Sequence, residues 1–198
     1  MTAPARAVAA VVLGLIAVAA VPVMAALKGH GGAVTGIAVT PDGARVISVG
    51  FDYTLMLWDL AAPRRPRRLE GHEAAVAAVA VFPDGRHAVS GSDDRTVGYW
   101  DLATGSLVAR WHGHQGKVAA VAAAPDGSFV ASGGWDRGLR LWNLQSGAVL
   151  KTLDGHTAWA EGVIFLDQGT RLASVGADRT VRLWELTPPP PPGPKKKK

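Results

Sequence analysis

The sequence predicts an all-β domain built from four copies of one unit, each supplying four short strands. The first observation is a repeat: a Gly-His pair falls at 29–30, 71–72, 113–114 and 155–156, a period of 42 residues with no insertion. The second is that the third apolar run of each unit ends in Trp followed by Asp, Asn or Glu. The third is a turn signal between the first two runs of each unit. Short strands with regularly spaced turns favour an all-β architecture over a helical one.

The first unit shows the predicted strands in order. Its apolar runs lie at 34–39, 45–49 and 54–58, and a fourth run lies at 67–70. Pro-Asp-Gly at 41–43 predicts a hairpin turn, because Pro presets φ, Asp bonds back to the backbone and Gly supplies a positive φ. The equivalent tripeptides of the later units are Pro-Asp-Gly at 83–85, Pro-Asp-Gly at 125–127 and Asp-Gln-Gly at 167–169.

A repeat of about 40–45 residues that carries Gly-His and Trp-Asp marks a four-stranded propeller blade. The chain therefore resembles the WD-repeat (G-beta-like) β-propeller family over residues 26–187. The resemblance implies four antiparallel blades, with repeats at 29–70, 71–112, 113–154 and 155–187. Four blades are few, so three arrangements stay open: a ring closed by four blades, half of an eight-bladed dimer, or a chain that is incomplete without partner blades.

The resemblance also implies that the run before each Gly-His is the outer strand of the preceding blade. The last unit then lacks an outer strand, because the chain after Leu186 and Thr187 continues in prolines, which cannot donate to a strand ladder. A spare run lies at 23–28, before the first Gly-His. Pairing of this run with the last blade would close the ring.

Residues 1–25 are predicted to be a signal peptide or a membrane anchor. Arg6 precedes an uninterrupted apolar run, and Val23 and Ala25 suit cleavage after Ala25. If it is retained, the hydrophobic helix at 7–27 would reach across a bilayer. Both interpretations predict an extracytoplasmic protein that is secreted, periplasmic or membrane-anchored.

The formal net charge of +5 comes from two local clusters. Arg64, Arg65, Arg67 and Arg68 form one, and Lys195–Lys198 forms the other; the remaining residues carry 13 positive and 16 negative side chains. A nearly neutral body argues against nucleic acid as a partner. The chain has no cysteine, which excludes disulfides and thiolate metal sites. We expect no cofactor.

Four polar positions recur together at the repeat period. They are His30, Ser48, Asp52 and Trp58; His72, Ser90, Asp94 and Trp100; His114, Ser132, Asp136 and Trp142; and His156, Ser174, Asp178 and Trp184. A catalytic triad occurs once, beside an oxyanion hole, whereas this set occurs four times. By resemblance, each set is a structural tetrad that ties the strands of one blade together. We therefore expect no enzyme and no metal site; a hydrolase that uses the central pocket is the less favoured alternative.

The predicted function is a non-catalytic scaffold that docks a protein or peptide on one face of the propeller. By resemblance, this face carries the Gly-His loops and the loops between the second and third runs. Aromatic and basic side chains, which dominate many interfaces, occur in both sets of loops. The predicted protein-binding residues are Phe51, Tyr53, Arg95, Lys117, Trp135, Arg137, Trp159 and Arg179.

The alternative function is binding to an anionic membrane surface or acidic partner through Arg64–Arg68 and Lys195–Lys198. Charged residues and proline at 64–68 also suit a blade edge that avoids pairing with other strands. The tail at 188–198 is predicted to be a proline-rich, disordered segment that ends in lysines. A homodimer and membrane attachment through residues 7–27 stay open as further partners.

Overall fold

A computed structural model describes residues 26–62 and 65–186 of the chain. This part is all-β and forms four antiparallel sheets, here called blades 1 to 4 in chain order. Blade 1 contains β1 (Val34–Val39), β2 (Arg45–Gly50), β3 (Leu55–Asp59) and β4 (Arg67–Leu69). Blade 2 contains β5 (Val76–Val81), β6 (His87–Ser92), β7 (Thr96–Asp101) and β8 (Ser106–His112). Blade 3 contains β9 (Val118–Ala123), β10 (Phe129–Gly134), β11 (Leu139–Asn143) and β12 (Val149–Leu153), and blade 4 contains β13 (Ala160–Leu166), β14 (Arg171–Gly176) and β15 (Val181–Glu185).

The predicted hairpin turns join the first two strands of each blade. Gly43 has a φ of 68°, a left-handed value that favours glycine. The Asp42 carboxylate accepts a hydrogen bond from the Ala44 N–H at 3.0 Å, so the turn holds itself in place. In blade 4 the turn is instead a short 3₁₀ segment, Asp167–Gly169, in which Asp167 and Gln168 also have positive φ. Without the Pro-Asp pair, this turn takes a more strained path.

Strand order within each sheet follows the sequence, and the register repeats with the period of the sequence. In blade 1, Ile37 lies opposite Ser48; the equivalent pairs of blades 2, 3 and 4 are Val79 and Ser90, Val121 and Ser132, and Val163 and Ser174. Because directly opposite residues share a face of a sheet, each blade has a tetrad face, which carries the Ser, and an opposite face.

The blades are stacked in a row, with β1 packed on β5, β5 on β9 and β9 on β13. Each junction places the opposite face of one blade against the tetrad face of the next. Between blades 1 and 2, Ile47 and Leu55 pack in one cluster with Val76 and Trp100. Equivalent clusters lie between blades 2 and 3 and between blades 3 and 4. The hydrophobic core therefore consists of three interblade layers.

The two ends of the row are open. On β1 of blade 1, Ile37 is 71 % exposed, and on β15 of blade 4, Val181 is 71 % exposed. β1 and β13 do not pack on each other as the neighbouring inner strands do. Within the described residues the chain therefore does not form a ring closed by four blades.

The predicted pairing of residues 23–28 with the last blade is not formed where it can be described. Residues 26–28 are exposed and belong to no strand, and blade 4 has three strands. Gly29 lies beside Trp58 of blade 1, just as Gly71 lies beside Trp100 of blade 2. Residues 23–25 lie outside the described part.

The predicted N-terminal helix and signal peptide, residues 1–25, also fall outside the described residues, as does the tail at 188–198. Over 26–62 and 65–186, no helix has the length and hydrophobicity needed to span a bilayer.

Candidate loop-face binding site

The four tetrads are built alike. In blade 2 the His72 Nδ1 lies 2.7 Å from the Asp94 carboxylate, and its Nε2 lies 2.7 Å from the Ser90 Oγ. The Trp100 Nε1–H donates to the same Oγ at 2.8 Å. In the other three blades, each of these contacts lies between 2.7 and 3.0 Å. The chain of contacts crosses its blade from the Gly-His loop to the third strand.

Each tetrad Asp is held in its ionised form. Burial acts to raise the pKa of Asp52, but hydrogen bonds from the Gly31 N–H, His30 and Thr54 outweigh it and lower the pKa to about 2. The pKa values of Asp94 and Asp136 are also lowered: burial opposes the shift, and hydrogen bonds from His72 and His114 are the largest causes that favour it. The Thr180 hydroxyl is the main cause that lowers the pKa of Asp178.

In blade 3 the Arg140 Nη1 lies 2.5 Å from His114 Nδ1 and competes with Asp136 for this nitrogen. In the other three blades the geometry assigns one tautomer to the tetrad histidine. The Nδ1–H donates to the ionised Asp, so Nε2 accepts from the Ser hydroxyl, which itself accepts from Trp. In blade 3, burial lowers the pKa of His114, and the Arg140 guanidinium adds to this effect. A His bonded through both ring nitrogens, an ionised Asp and a Ser that both donates and accepts form a satisfied network that holds a blade together.

The loop face is constructed by a contact that repeats in every blade. The Trp135 N–H donates to the Lys117 carbonyl at 2.8 Å, which joins the loop between the second and third strands to the Gly-His loop. The equivalent bonds of blades 1, 2 and 4 run from Phe51 to Ala33, from Asp93 to Ala75 and from Ala177 to Trp159. The two sets of loops predicted to form one face therefore do so in each blade.

Two predicted binding residues from different blades meet on this face. The indole rings of Trp135 in blade 3 and Trp159 in blade 4 are stacked, with centroids 4.0 Å apart and an interplanar angle of 4°. They are 40 % and 43 % exposed. The Lys117 ammonium lies 4.8 Å from the centre of the Trp135 ring and forms an ion pair with Asp93 of blade 2. We call Trp135, Trp159 and Lys117 the tryptophan platform.

Four of the predicted residues share an uncommon backbone conformation. Tyr53, Arg95, Arg137 and Arg179, each directly after the tetrad Asp, have φ values between 65° and 70°. A non-glycine residue in this region costs about 1–2 kcal/mol. Each side chain is exposed on the loop face, as is that of Phe51 in the first blade. The structure does not bring Phe51 or Tyr53 into the tryptophan platform, which is formed by blades 3 and 4.

Comparison with protein families decides the identity of the repeat. The family model for the WD domain, G-beta repeat, matches the chain four times, over residues 22–59, 64–101, 105–143 and 147–185. The chain belongs to the WD-repeat family. No curated protein matches the chain. WD repeats generally mediate protein–protein interactions and are typically non-catalytic.

Sequence reasoning missed part of the WD-repeat loop face. Glu73 and Arg110 form an ion pair at 2.6 Å beside Arg95, and the three line a cleft of about 240 Å³ with His112. The exposed His112 lines this cleft. Over 26–62 and 65–186, no three His, Cys, Asp or Glu side chains converge. The sequence holds one signal for this ion pair: Glu73 and Arg110 are 37 residues apart, which is close to the length of one repeat.

The basic cluster at 64–68 is partly engaged with its own blade and the next. The Arg67 Nη1 donates to the Ala103 carbonyl at 2.6 Å, and Arg68 pairs with Glu70 at 3.2 Å. Arg65 is exposed, whereas Arg64 and Lys195–Lys198 lie outside the described residues. Arg67 and Arg68 thus have contacts that compete with an external anion.

Proposed function

We propose that this chain is an interaction scaffold whose tryptophan platform docks an acidic peptide that carries an aromatic or branched aliphatic side chain. The observation that supports the proposal most directly is the exposed, stacked pair Trp135 and Trp159. Soluble proteins seldom leave two large aromatic rings exposed side by side, and such clusters mark interaction sites. Tryptophan is also the residue most enriched at sites that dominate binding energy.

The platform is ordered before any partner arrives. Stacking fixes the two rings against each other, and Lys117 is held over Trp135 by its contact with Asp93. A surface that is already rigid loses little side-chain entropy on binding, so more of the contact energy is available as affinity. The rings thus offer a flat apolar surface for one side chain of a partner.

Charge around the platform favours an acidic partner. Arg137 lies in the same loop as Trp135, and Arg179 lies in the loop of blade 4 that is hydrogen-bonded to the Gly-His loop of Trp159. Arg95 lies in the equivalent loop of blade 2. Within residues 26–62 and 65–186, none of these three guanidinium groups forms an ion pair with a carboxylate. Acidic groups of a partner can therefore bind them without first displacing a contact within the chain.

The tetrads do not support the hydrolase alternative. Each tetrad Ser is buried, and its hydroxyl is engaged by both His and Trp of its own blade. A nucleophile has to reach a substrate, so four buried hydroxyls with satisfied hydrogen bonds favour a structural role.

A peptide selection tests the proposed site. Random displayed peptides are selected on the full chain, and the enriched sequences are synthesised and measured by calorimetry. We expect enrichment of acidic peptides with an aromatic residue, and we expect Trp135→Ala to weaken their binding by about tenfold or more, as for an interface hot spot. Val108→Ala, at an exposed position on the outer strand of blade 2, is the matched control. Equal affinity in Trp135→Ala and the control would remove the platform from the proposal.

We further propose an extracytoplasmic location, which rests on the apolar residues 7–21 and the small residues at 23 and 25. Fractionation of cells that express the full chain with a C-terminal tag tests it. Recovery of the tagged protein from the medium, periplasm or outer membrane surface supports the proposal, and recovery from the cytosol alone contradicts it.

A further inference from the structure

Blade 4 presents an open apolar face at one end of the row. Ile164, Val175, Val181 and Leu183 share the face opposite the tetrad, because Val175 pairs with Val181 and Ala173 pairs with Leu183. All four side chains are exposed, Leu183 by 64 %. Four branched aliphatic residues on one flat sheet form a surface of the kind that proteins normally cover.

Blade 1 presents an open apolar face at the other end. Val34, Ile37 and Val39 on β1 are each more than half exposed. Ile37 and Val39 lie on the tetrad face, opposite Ser48 and Val46. The row thus ends in two different surfaces, one tetrad face and one opposite face.

These two surfaces are the two halves of a junction that the chain already forms three times. Val181 is equivalent by repeat position to Leu55, Val97 and Leu139, all fully buried at a junction with the next blade. Ile37 is equivalent to Val79, Val121 and Val163, which pack against the preceding blade. Because the open faces continue this series, the surface that fits blade 4 is the tetrad face of a blade 1.

The strand edges match in the same way. β3 pairs with β4 through Leu55 and Leu69, and the equivalent pairs of blades 2 and 3 are Val97 with Trp111 and Leu139 with Leu153. Val181 continues the series Leu55, Val97 and Leu139, and Leu27 lies one repeat before Leu69. In a ring of repeats, Val181 would therefore pair with Leu27. Leu27 is 39 % exposed, whereas Leu69, Trp111 and Leu153 are buried. Within residues 26–62 and 65–186, β15 has no outer strand beside it, and the buried Arg182 Nε on this strand has no hydrogen-bond acceptor.

We infer that the open faces are binding sites for a second copy of this chain, with blade 4 of each copy docked on blade 1 of the other. Residues 26 and 27 of one copy then run along β15 of its partner, where the other blades have an outer strand. The surface that fits blade 4 is the tetrad face of blade 1, which lies at the far end of the same chain and does not reach blade 4. A second copy of the chain can supply this face. Two such contacts related by a two-fold axis close eight blades into one ring.

Two charge variants of the full chain test this arrangement. Ile37→Arg disables the blade 1 face and Leu183→Arg disables the blade 4 face, both at exposed positions where the fold of one chain is not perturbed. Light scattering of the unmodified chain should give twice the mass of 20.6 kDa. Each variant alone should have a dissociation constant raised about a hundredfold or more, because an unpaired charge would be buried at the contact.

An equimolar mixture of the two variants should recover a dimer, since blade 4 of Ile37→Arg and blade 1 of Leu183→Arg are both intact. Val108→Arg, on the outer strand of blade 2, should dimerise like the unmodified chain. A monomeric unmodified chain would overturn the inference, as would variants that stay dimeric, a mixture that stays monomeric, or polymers in place of a closed pair. If all variants kept the mass of a dimer, residues outside the two faces would be responsible for the association.

Discussion

Blades 3 and 4 carry the same four tetrad residues, yet the two blades differ in exposure. The difference separates structure that one repeat forms by itself from structure that needs a neighbouring blade. Their tetrads have the same geometry, with His–Ser contacts of 2.7 and 2.8 Å. Their opposite faces differ: Leu139 of blade 3 is fully buried, and the equivalent Val181 of blade 4 is 71 % exposed. The tetrad is therefore a property of one repeat, whereas burial of the opposite face depends on the blade that follows.

Acidification should break all four blades together, and we expect it to have the largest effect. The tetrad carboxyls have pKa values below the ordinary 3.8, with that of Asp52 at about 2. Since a depressed pKa stabilises the fold above the unfolded value, this stability is lost as the pH falls from about 4 toward 2. Circular dichroism should show the thermal midpoint dropping over this range.

Asp94→Asn provides the control for that acid effect. The variant should be less stable at pH 7, because His72 loses its ionised partner, but should lose less stability between pH 4 and pH 2. An acid dependence identical to that of the unmodified chain would show that this carboxyl does not contribute.

Truncation of one buried leucine of blade 3 and one exposed leucine of blade 4 should sharpen the comparison of the two blades. Leu139→Ala, in the junction between blades 3 and 4, should lower the free energy of unfolding by about 2–5 kcal/mol at any protein concentration. Leu183→Ala should change it by less than about 0.5 kcal/mol in dilute solution, as expected for an exposed position. Urea denaturation at low protein concentration measures both; equal losses would mean that blade 4 is covered within one chain.

Loss of a tetrad hydroxyl should have the same effect in both blades. Ser132→Ala and Ser174→Ala each leave a buried His Nε2 and Trp Nε1 without their shared partner, which costs about 1–3 kcal/mol. The two variants should therefore have similar urea midpoints. A much smaller loss in blade 4 than in blade 3 would show that the tetrad also depends on a neighbouring blade.

Removal of a platform ring should affect stability least. Trp135→Ala removes the stacking contact with Trp159, which is worth about 0.5–1.5 kcal/mol. The thermal midpoint should shift by only a few degrees while peptide binding is lost. A loss of stability as large as that of Leu139→Ala would give Trp135 a structural role instead of a binding role.

The periodic part of the structure could be predicted from the sequence. The first strand, expected at 34–39, is observed at Val34–Val39, because turn chemistry and repeat position both define its ends. All-β sheets with antiparallel order follow from the same pattern. The fourth turn deviates where Asp-Gln-Gly replaces Pro-Asp-Gly, and it forms a 3₁₀ segment.

Contacts between repeats could not be predicted in the same way. The stacking of Trp135 on Trp159 depends on how far two loops of adjacent blades project, which no spacing within one repeat encodes. The sequence also left open whether the ends of the row are covered, because Val181 and Leu183 have the apolar character of their buried equivalents. A repeat sequence specifies a surface to be covered and leaves open which chain covers it.

Amide hydrogen exchange of β15 tests the central claim, that the two open faces form one more junction of the same kind. The full chain is measured at protein concentrations below and above the range of association, and β11 serves as the internal reference. We predict that the amides of Val181–Glu185 exchange fast in dilute solution and become protected at high concentration, while those of Leu139–Asn143 stay protected throughout. Exchange in β15 that does not depend on concentration, whether fast or slow, would contradict the claim.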